Sequence, residues 1–292
     1  MPDCLKHNPR ARPGEPLPLD IFDFHTHVAG RAHPISTVLA DEGALKASLD
    51  AQGIGGRAIS TPPEFLGGET AAQANERIAR IAASDARLVG LATVDAYAGE
   101  ASARELERAV RELGLKGVLI ESAKDGMLPN APEAQPTFAA AAALGIPVFL
   151  HPVPDPALKA RFAQCGRMSE RLTRGAINSA AVFAMLESSM LDRHAGLNVV
   201  VTALALGGLL LGGRVPAGIY IDTTGHHPVA LRACLELLGP GRVVAGTDWP
   251  VVQETELPQR LDRLLRSFGL DAQDRQRVAG GNARVLLGIP RA

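Results

Sequence analysis

Eight short apolar runs recur along the chain, and between them lie stretches whose apolar positions fall three and four apart. The runs are "DIFDFH", "GRAIST", "RLVGLATV", "KGVLIE", "IPVFLH", "LNVVVTAL", "GIYIDT" and "RVVAGTD". Near-continuous apolarity is what a strand buried on both faces requires. The intervening patterns, such as "ETAAQANERIARIAAS" and "ASARELERAVRELG", predict amphipathic helices. Gly or Pro often marks their ends, as in "ELGLKG" and "ALGIPV". Eight strand–helix alternations predict a closed (β/α)8 TIM barrel of α/β class rather than an open doubly wound sheet. A further helical stretch, from Asp155 to Arg193, predicts a helical insertion after strand five, placed to cap the barrel mouth. Residues 1–19 carry five prolines and little periodicity, and read as a loosely ordered Pro-rich arm ahead of one catalytic domain over residues 20–292.

Composition narrows the function. The net charge is −1, with both signs spread along the chain, so no basic stripe for nucleic acid is present. Cys4, Cys165 and Cys234 lie far apart without CxxC spacing, which predicts a reduced compartment and no disulfide framework. The start lacks a charged segment followed by an apolar core, so no signal peptide is expected. The most apolar run, "LNVVVTALALGGLLLGG", is broken by paired glycines well short of the roughly 20 residues of a membrane span. The expectation is a cytoplasmic protein with a small-molecule substrate and neither nucleic-acid nor membrane partners.

Barrel active sites lie at the C-terminal ends of the strands. Polar residues stand there after several runs: His25 and His27 after the first, Glu121 after the fourth, His151 after the fifth, Asp222 with His226 and His227 after the seventh, and Asp248 after the eighth. Side chains two apart on a strand share a face, so His25 and His27 can meet one ion. Three imidazoles and a carboxylate suit zinc, manganese or iron(II) and leave room for water, whose proton a neighbouring carboxylate can accept. His25, His27, His151 and Asp248 are therefore the predicted metal ligands. Asp222, Arg31 and His33 are the candidate substrate-binding residues, Arg for its bidentate fit to a carboxylate.

On "DFHTH", "LGLKGVLI", "LGIPVFLHP", "ALGGLL", "AGTDWP" and the closing "GGNARVLLGI", the chain resembles the amidohydrolase superfamily. The resemblance is to its amidohydrolase-related branch of metal-dependent hydrolases and decarboxylases, of the aminocarboxymuconate-semialdehyde decarboxylase kind. It spans roughly residues 20 to 289. It implies a TIM barrel holding one divalent ion, zinc before manganese, with Asp248 also acting as base, and it admits a homodimer. In one place the chain departs from the pattern. Where the resemblance implies a histidine after strand six, in an "HxGG" setting, this chain has "TALALGG", with Ala205 at that position. His226 and His227, in "GHHP", are the candidates to replace the missing imidazole as catalytic residues alongside Asp248. The expected reaction is hydrolysis of an amide, ester or lactone bond in a small carboxylated metabolite by metal-activated water. The alternatives are metal-dependent non-oxidative decarboxylation and, third, a non-catalytic barrel that binds a small ligand.

Overall fold

The computed structural model describes residues 19–153, 155–213, 215–224, 227–252 and 256–290. Residues 1–18, most of the expected arm, lie outside the described residues. Each of the eight apolar runs forms a parallel strand: β1 Ile21–His27, β2 Ile54–Ser60, β3 Leu88–Gly90 continued by Ala92–Thr93, β4 Val118–Glu121, β5 Val148–His151, β6 Val199–Val201, β7 Ile219–Asp222 and β8 Val243–Val244. Hydrogen bonds bridge the break in β3, from Leu91 N to Ile59 O at 2.9 Å and from Ala92 N to Gly117 O at 2.7 Å. The ring closes between first and last strands: Phe24 N donates to Ala245 O, Asp248 N to His25 O and His27 N to Trp249 O, each at 2.8 Å. The result is a (β/α)8 barrel.

Alternation along the strands divides two cores. Phe22, Phe24, Leu119, Phe149, Val200 and Val244 point inward and fill the barrel. The C-terminal segment closes the lower end with Ala283, Leu286 and Leu287. Gly280 is required there, because a Cβ would lie 2.5 Å from Asp20 O beneath β1. The opposite faces pack against the surrounding helices. The helical segment after β5 stands where the pattern put it. Its long helix Ser169–Glu187 buries Ile177, Ala181, Val182 and Met185 at helical spacing and serves as the ring helix between β5 and β6. Pro156–Arg161 and the turn Ala163–Met168 are the added piece. No helix among the described residues is long and apolar enough to cross a membrane.

The pairing of β1 on β2 shifts register twice, once at its start between Ile21 and Phe22 and once at the place that makes the site. Between Asp23 and Thr26 the register of β1 on β2 slips by one residue, a β-bulge. Phe24 and the next residue, His25, consequently both reach Phe149, with ring centroids 5.6 and 4.7 Å away. A bulge re-aims side chains in this way beside active sites. Asp23, fully buried, holds it. Its carboxylate accepts from Thr26 Oγ1 at 3.0 Å, from Thr247 N at 3.0 Å and from Thr247 Oγ1 at 2.7 Å. Arg57, also fully buried, puts Nε 3.2 Å from Asp23 Oδ2, too oblique for a hydrogen bond but close enough for an ion pair. The same guanidinium donates to Ser48 and Gln52 and covers the Trp249 ring at 4.8 Å. Asp23→Ala strands a buried cation and two hydroxyls. The variant is expected to lose about 3–5 kcal/mol of unfolding free energy, read as a lower urea midpoint; an unchanged midpoint would refute this role for Asp23.

Candidate metal centre and active site

His25 and His27 end β1, His151 ends β5, and Asp248 follows β8. Their ligand atoms all lie within 4.8 Å of one another, and they form the one such group of four among the described residues. His25 Nε2 is 3.0 Å from His27 Nε2, and Asp248 Oδ1 is 3.6 Å and 3.3 Å from the same two nitrogens. Asp248 adopts a left-handed backbone at φ 65°, a conformation that an Asp tolerates better than most residues. Gly246, two residues earlier, has no room for a Cβ, which would lie 2.9 Å from that of His25.

The outer hydrogen bonds fix which ring nitrogens face the cluster. His25 Nδ1 lies 2.6 Å from Asp222 Oδ2, an acceptor, so Nδ1 carries the proton. Ser60 gives its hydroxyl proton to Thr26 O, so His27 Nδ1, 3.2 Å away, donates to the Ser60 oxygen. Both Nε2 atoms then present lone pairs 3.0 Å apart, beside a carboxylate oxygen. A proton or a cation must sit between them. Ligands at about 2.0–2.2 Å from one ion lie about 2.8–3.6 Å apart between right-angled and tetrahedral arrangements, so these three spacings fit a divalent metal. Histidine held from behind by a carboxylate is also a recurrent support for metal ligands.

The electrostatics agree. Burial lowers the affinity of every ring here for protons. In His27 burial prevails over Asp248, and in His151 burial, with His27, His25 and Arg174, drives the pKa well below its usual value. His25 is raised, because the hydrogen bond and charge of Asp222, with Asp248 and Asp23, outweigh its burial. Asp248 is lowered: burial opposes ionisation, but the His27 hydrogen bond and the charges of His25, His27 and Arg174 prevail.

Above the cluster opens a cavity of about 540 Å³, a size that suits a small molecule. Phe65, Ile35, Leu204, Val251 and Val252 supply apolar walls. Lys159, Arg171 and Arg174 supply positive charge, all from the segment after β5. Arg174 is fully engaged: it donates to Glu64, Glu170 and the carbonyl of Pro152, the residue after His151. Lys159 pairs with Glu170 at 3.1 Å, whereas Arg171 has no ion-pair partner among the described residues. A second cavity of about 430 Å³ adjoins through Glu64 and contains Glu121, which is not among the four clustered donors. Burial, then the charges of Glu64, Asp95 and Asp125 acting against Lys124, push the Glu121 carboxyl up to about 7.

Several expected site residues stand elsewhere. Asp222 is fully buried behind His25, where it also accepts from Ala203 N and Thr224 N, and it does not line the cavity. It stands behind His25, a candidate metal ligand, and not at the cavity wall. Arg31 is exposed and lies against Gly67, outside the cavity lining. His33 is half-buried and reaches the site only indirectly, through its contact with Phe65 at 4.8 Å. His227 is exposed ahead of helix Pro228–Leu238 and is absent from the lining. His226 lies outside the described residues. Ala205 is fully buried in the packed layer outside the barrel, while Thr202 and Leu204 of the same segment line the cavity. Sequence reading missed Asp23, Ser60, Arg174 and Thr224, whose hydroxyl lies 2.9 Å from both His25 Nδ1 and Asp222 Oδ2.

Fold and site together define a barrel enzyme built around one divalent metal site. The chain belongs to the amidohydrolase family, whose model matches residues 22–289. It is 26% identical over 241 residues to 2-amino-3-carboxymuconate-6-semialdehyde decarboxylase of Dictyostelium discoideum, a match covering 74% of this chain and 65% of that protein. It is 24% identical over 310 residues to gamma-resorcylate decarboxylase of Polaromonas sp., covering 94% of this chain and 89% of that protein. Its fold matches the crystal structure of dihydroxybenzoic acid decarboxylase from Polaromonas sp. with bound manganese and the inhibitor 2-nitroresorcinol. That match has a TM-score of 0.72 and 18% identity, and covers 94% of this chain and 98% of that one.

Two predictions follow from the geometry. Asp222→Asn keeps the shape but weakens the grip on His25, and metal affinity should fall about 10–100-fold, measured by competition with a chelating dye; equal affinity would remove Asp222 from the support of the site. Glu121 holds its proton in the folded state up to about 7, against 4.5 for the free side chain. The stability this contributes is present in full below pH 4.5 and is lost as pH rises through 7. Glu121→Gln should flatten that decline in denaturation midpoints taken from pH 4 to 8, and an unaltered slope would assign the titration to another group.

Proposed function

We propose that this enzyme is a metal-dependent, non-oxidative decarboxylase of a small aromatic or conjugated carboxylate. The observation that carries the reading is the four-donor cluster lying beneath a cavity with apolar walls and a cationic rim. Apolar faces from Phe65, Ile35, Leu204, Val251 and Val252 suit a flat conjugated body, and Arg171 and Lys159 suit its carboxylate. The relatives named above are decarboxylases and favour this reading over the expected hydrolysis, for which they give no support.

His25, His27, His151 and Asp248 would hold the ion, which when bound supplies positive charge to fix and polarise oxygens of the substrate. Manganese is preferred to the expected zinc, because the similar fold cited above holds manganese and the nitrogen–oxygen donor set admits either. Asp248 handles the proton. Its ionised carboxylate, 23% exposed at the cavity floor, can take a proton from a substrate hydroxyl and return it to the carbon that bears the carboxylate. The bond from that carbon to the carboxylate then breaks, CO2 leaves, and the electron pair returns to the conjugated system. The apolar walls keep bulk water from the reacting carbon.

The test is to incubate the manganese-loaded and zinc-loaded protein with 2,6-dihydroxybenzoate, 5-carboxyvanillate and a panel of esters and lactones. Release of CO2 from a carboxylate is expected. Ester or lactone hydrolysis with no CO2 would overturn the reading. On the active substrate, Asp248→Asn should lower kcat by about 10²-fold or more, and wild-type turnover in that variant would take the proton-transfer role from Asp248.

A further inference from the structure

Just past the end of β6, three residues before Ala205, the cavity wall includes Thr202. Its side chain is almost fully buried, at 1% exposure. Thr202 Oγ1 accepts a hydrogen bond of 2.9 Å from Asn178 Nδ2, on helix Ser169–Glu187. Asn178 is itself fully buried, and its Oδ1 has no hydrogen-bond partner among the described residues. A hydroxyl has one proton to give. With its oxygen already engaged by Asn178 and no other hydrogen bond made by the hydroxyl among the described residues, the proton of Thr202 remains free, and the side chain borders the cavity. Leaving a buried polar group unpaired is costly, and of the pair it is Thr202 that lines the cavity, so its proton is the capacity a ligand can use.

We propose that the Thr202 hydroxyl, aimed by Asn178, donates a hydrogen bond to an oxygen of the bound substrate at the β6 wall of the cavity. The inference rests on the decarboxylase reading and names the residue that recognises the substrate at this wall. A threonine hydroxyl does not ionise at neutral pH, so its part is to orient the substrate and steady negative charge on it. Asn178 is a positioning residue that acts through Thr202.

The probe is 2-nitroresorcinol, whose nitro group stands in for a carboxylate between two hydroxyls. Its binding to the manganese-loaded protein is followed by its visible absorption. Thr202→Val, which keeps the shape and removes the donor, should weaken binding about 10–100-fold, as loss of a hydrogen bond to a charged oxygen does. Thr202→Ser, which keeps the donor, should restore most of the affinity. Asn178→Asp, which can only accept, should draw the threonine proton away from the cavity and weaken binding as Thr202→Val does. Metal content and melting temperature of each variant separate these effects from misfolding. Equal affinity in wild type and Thr202→Val, or a Ser variant as weak as the Val variant, would overturn this inference alone. A wild-type protein that binds no 2-nitroresorcinol and releases no CO2 from the carboxylate panel would overturn the decarboxylase reading and this inference with it.

Discussion

The buried Asp23 carboxylate is the constraint on which the site depends. It ties the bulge in β1 to the turn after β8 through Thr26 and Thr247, and Arg57 secures it from the helical layer. These bonds fix two things together: the rotation that brings His25 onto the barrel axis, and the position of the loop carrying Asp248. The two ends of the barrel's closing seam thus supply three of the four metal donors, and one carboxylate beneath them sets their spacing. The energetic logic is that of a buried network in which every partner is needed, since removing one leaves the others desolvated and unpaired.

Much of the fold was legible because a barrel strand has no solvent face. Each apolar run could only be a strand covered on both sides, and eight of them with helices between allow few architectures. The metal group was legible because its members stand at strand ends, where the chain's direction shows which residues reach the mouth. The bulge was not legible: "IFDFH" reads as regular alternation, and nothing local says that Phe24 and His25 will share the interior. Asp222 illustrates a second limit. A carboxylate at a strand end looks the same in sequence whether it meets a ligand or holds a histidine from behind. Arg174 left no sequence signal, because its partners Glu64 and Pro152 are brought near only by the closed ring.

The wall at β6 shows how such a site can change while its centre stays the same. The four clustered donors sit on β1, β5 and the turn after β8; the segment after β6 supplies none of them and touches their support through Ala203 N, which donates to the Asp222 carboxylate behind His25. A hydroxyl in that wall can hold an oxygen in place but does not give up its proton at neutral pH. In the proposed reaction, proton handling therefore falls to Asp248, whose pKa is lowered at the cavity floor.

The closure of the lower end has a consequence for how the chain reaches this state. Val278 O accepts from Ala245 N, Asn282 donates to Val243 O, and Ala283, Leu286 and Leu287 complete the interior packing. The seam between β1 and β8 therefore joins strands far apart in sequence and is covered by residues that follow β8. During synthesis, β1 waits for its partner while the rest of the ring is made, its apolar edge open. Contacts of such long sequence separation form slowly, and the unfinished barrel exposes the surface that chaperones bind and that aggregation exploits. A chain cut before Val278 would keep most of its helices but leave this seam uncovered.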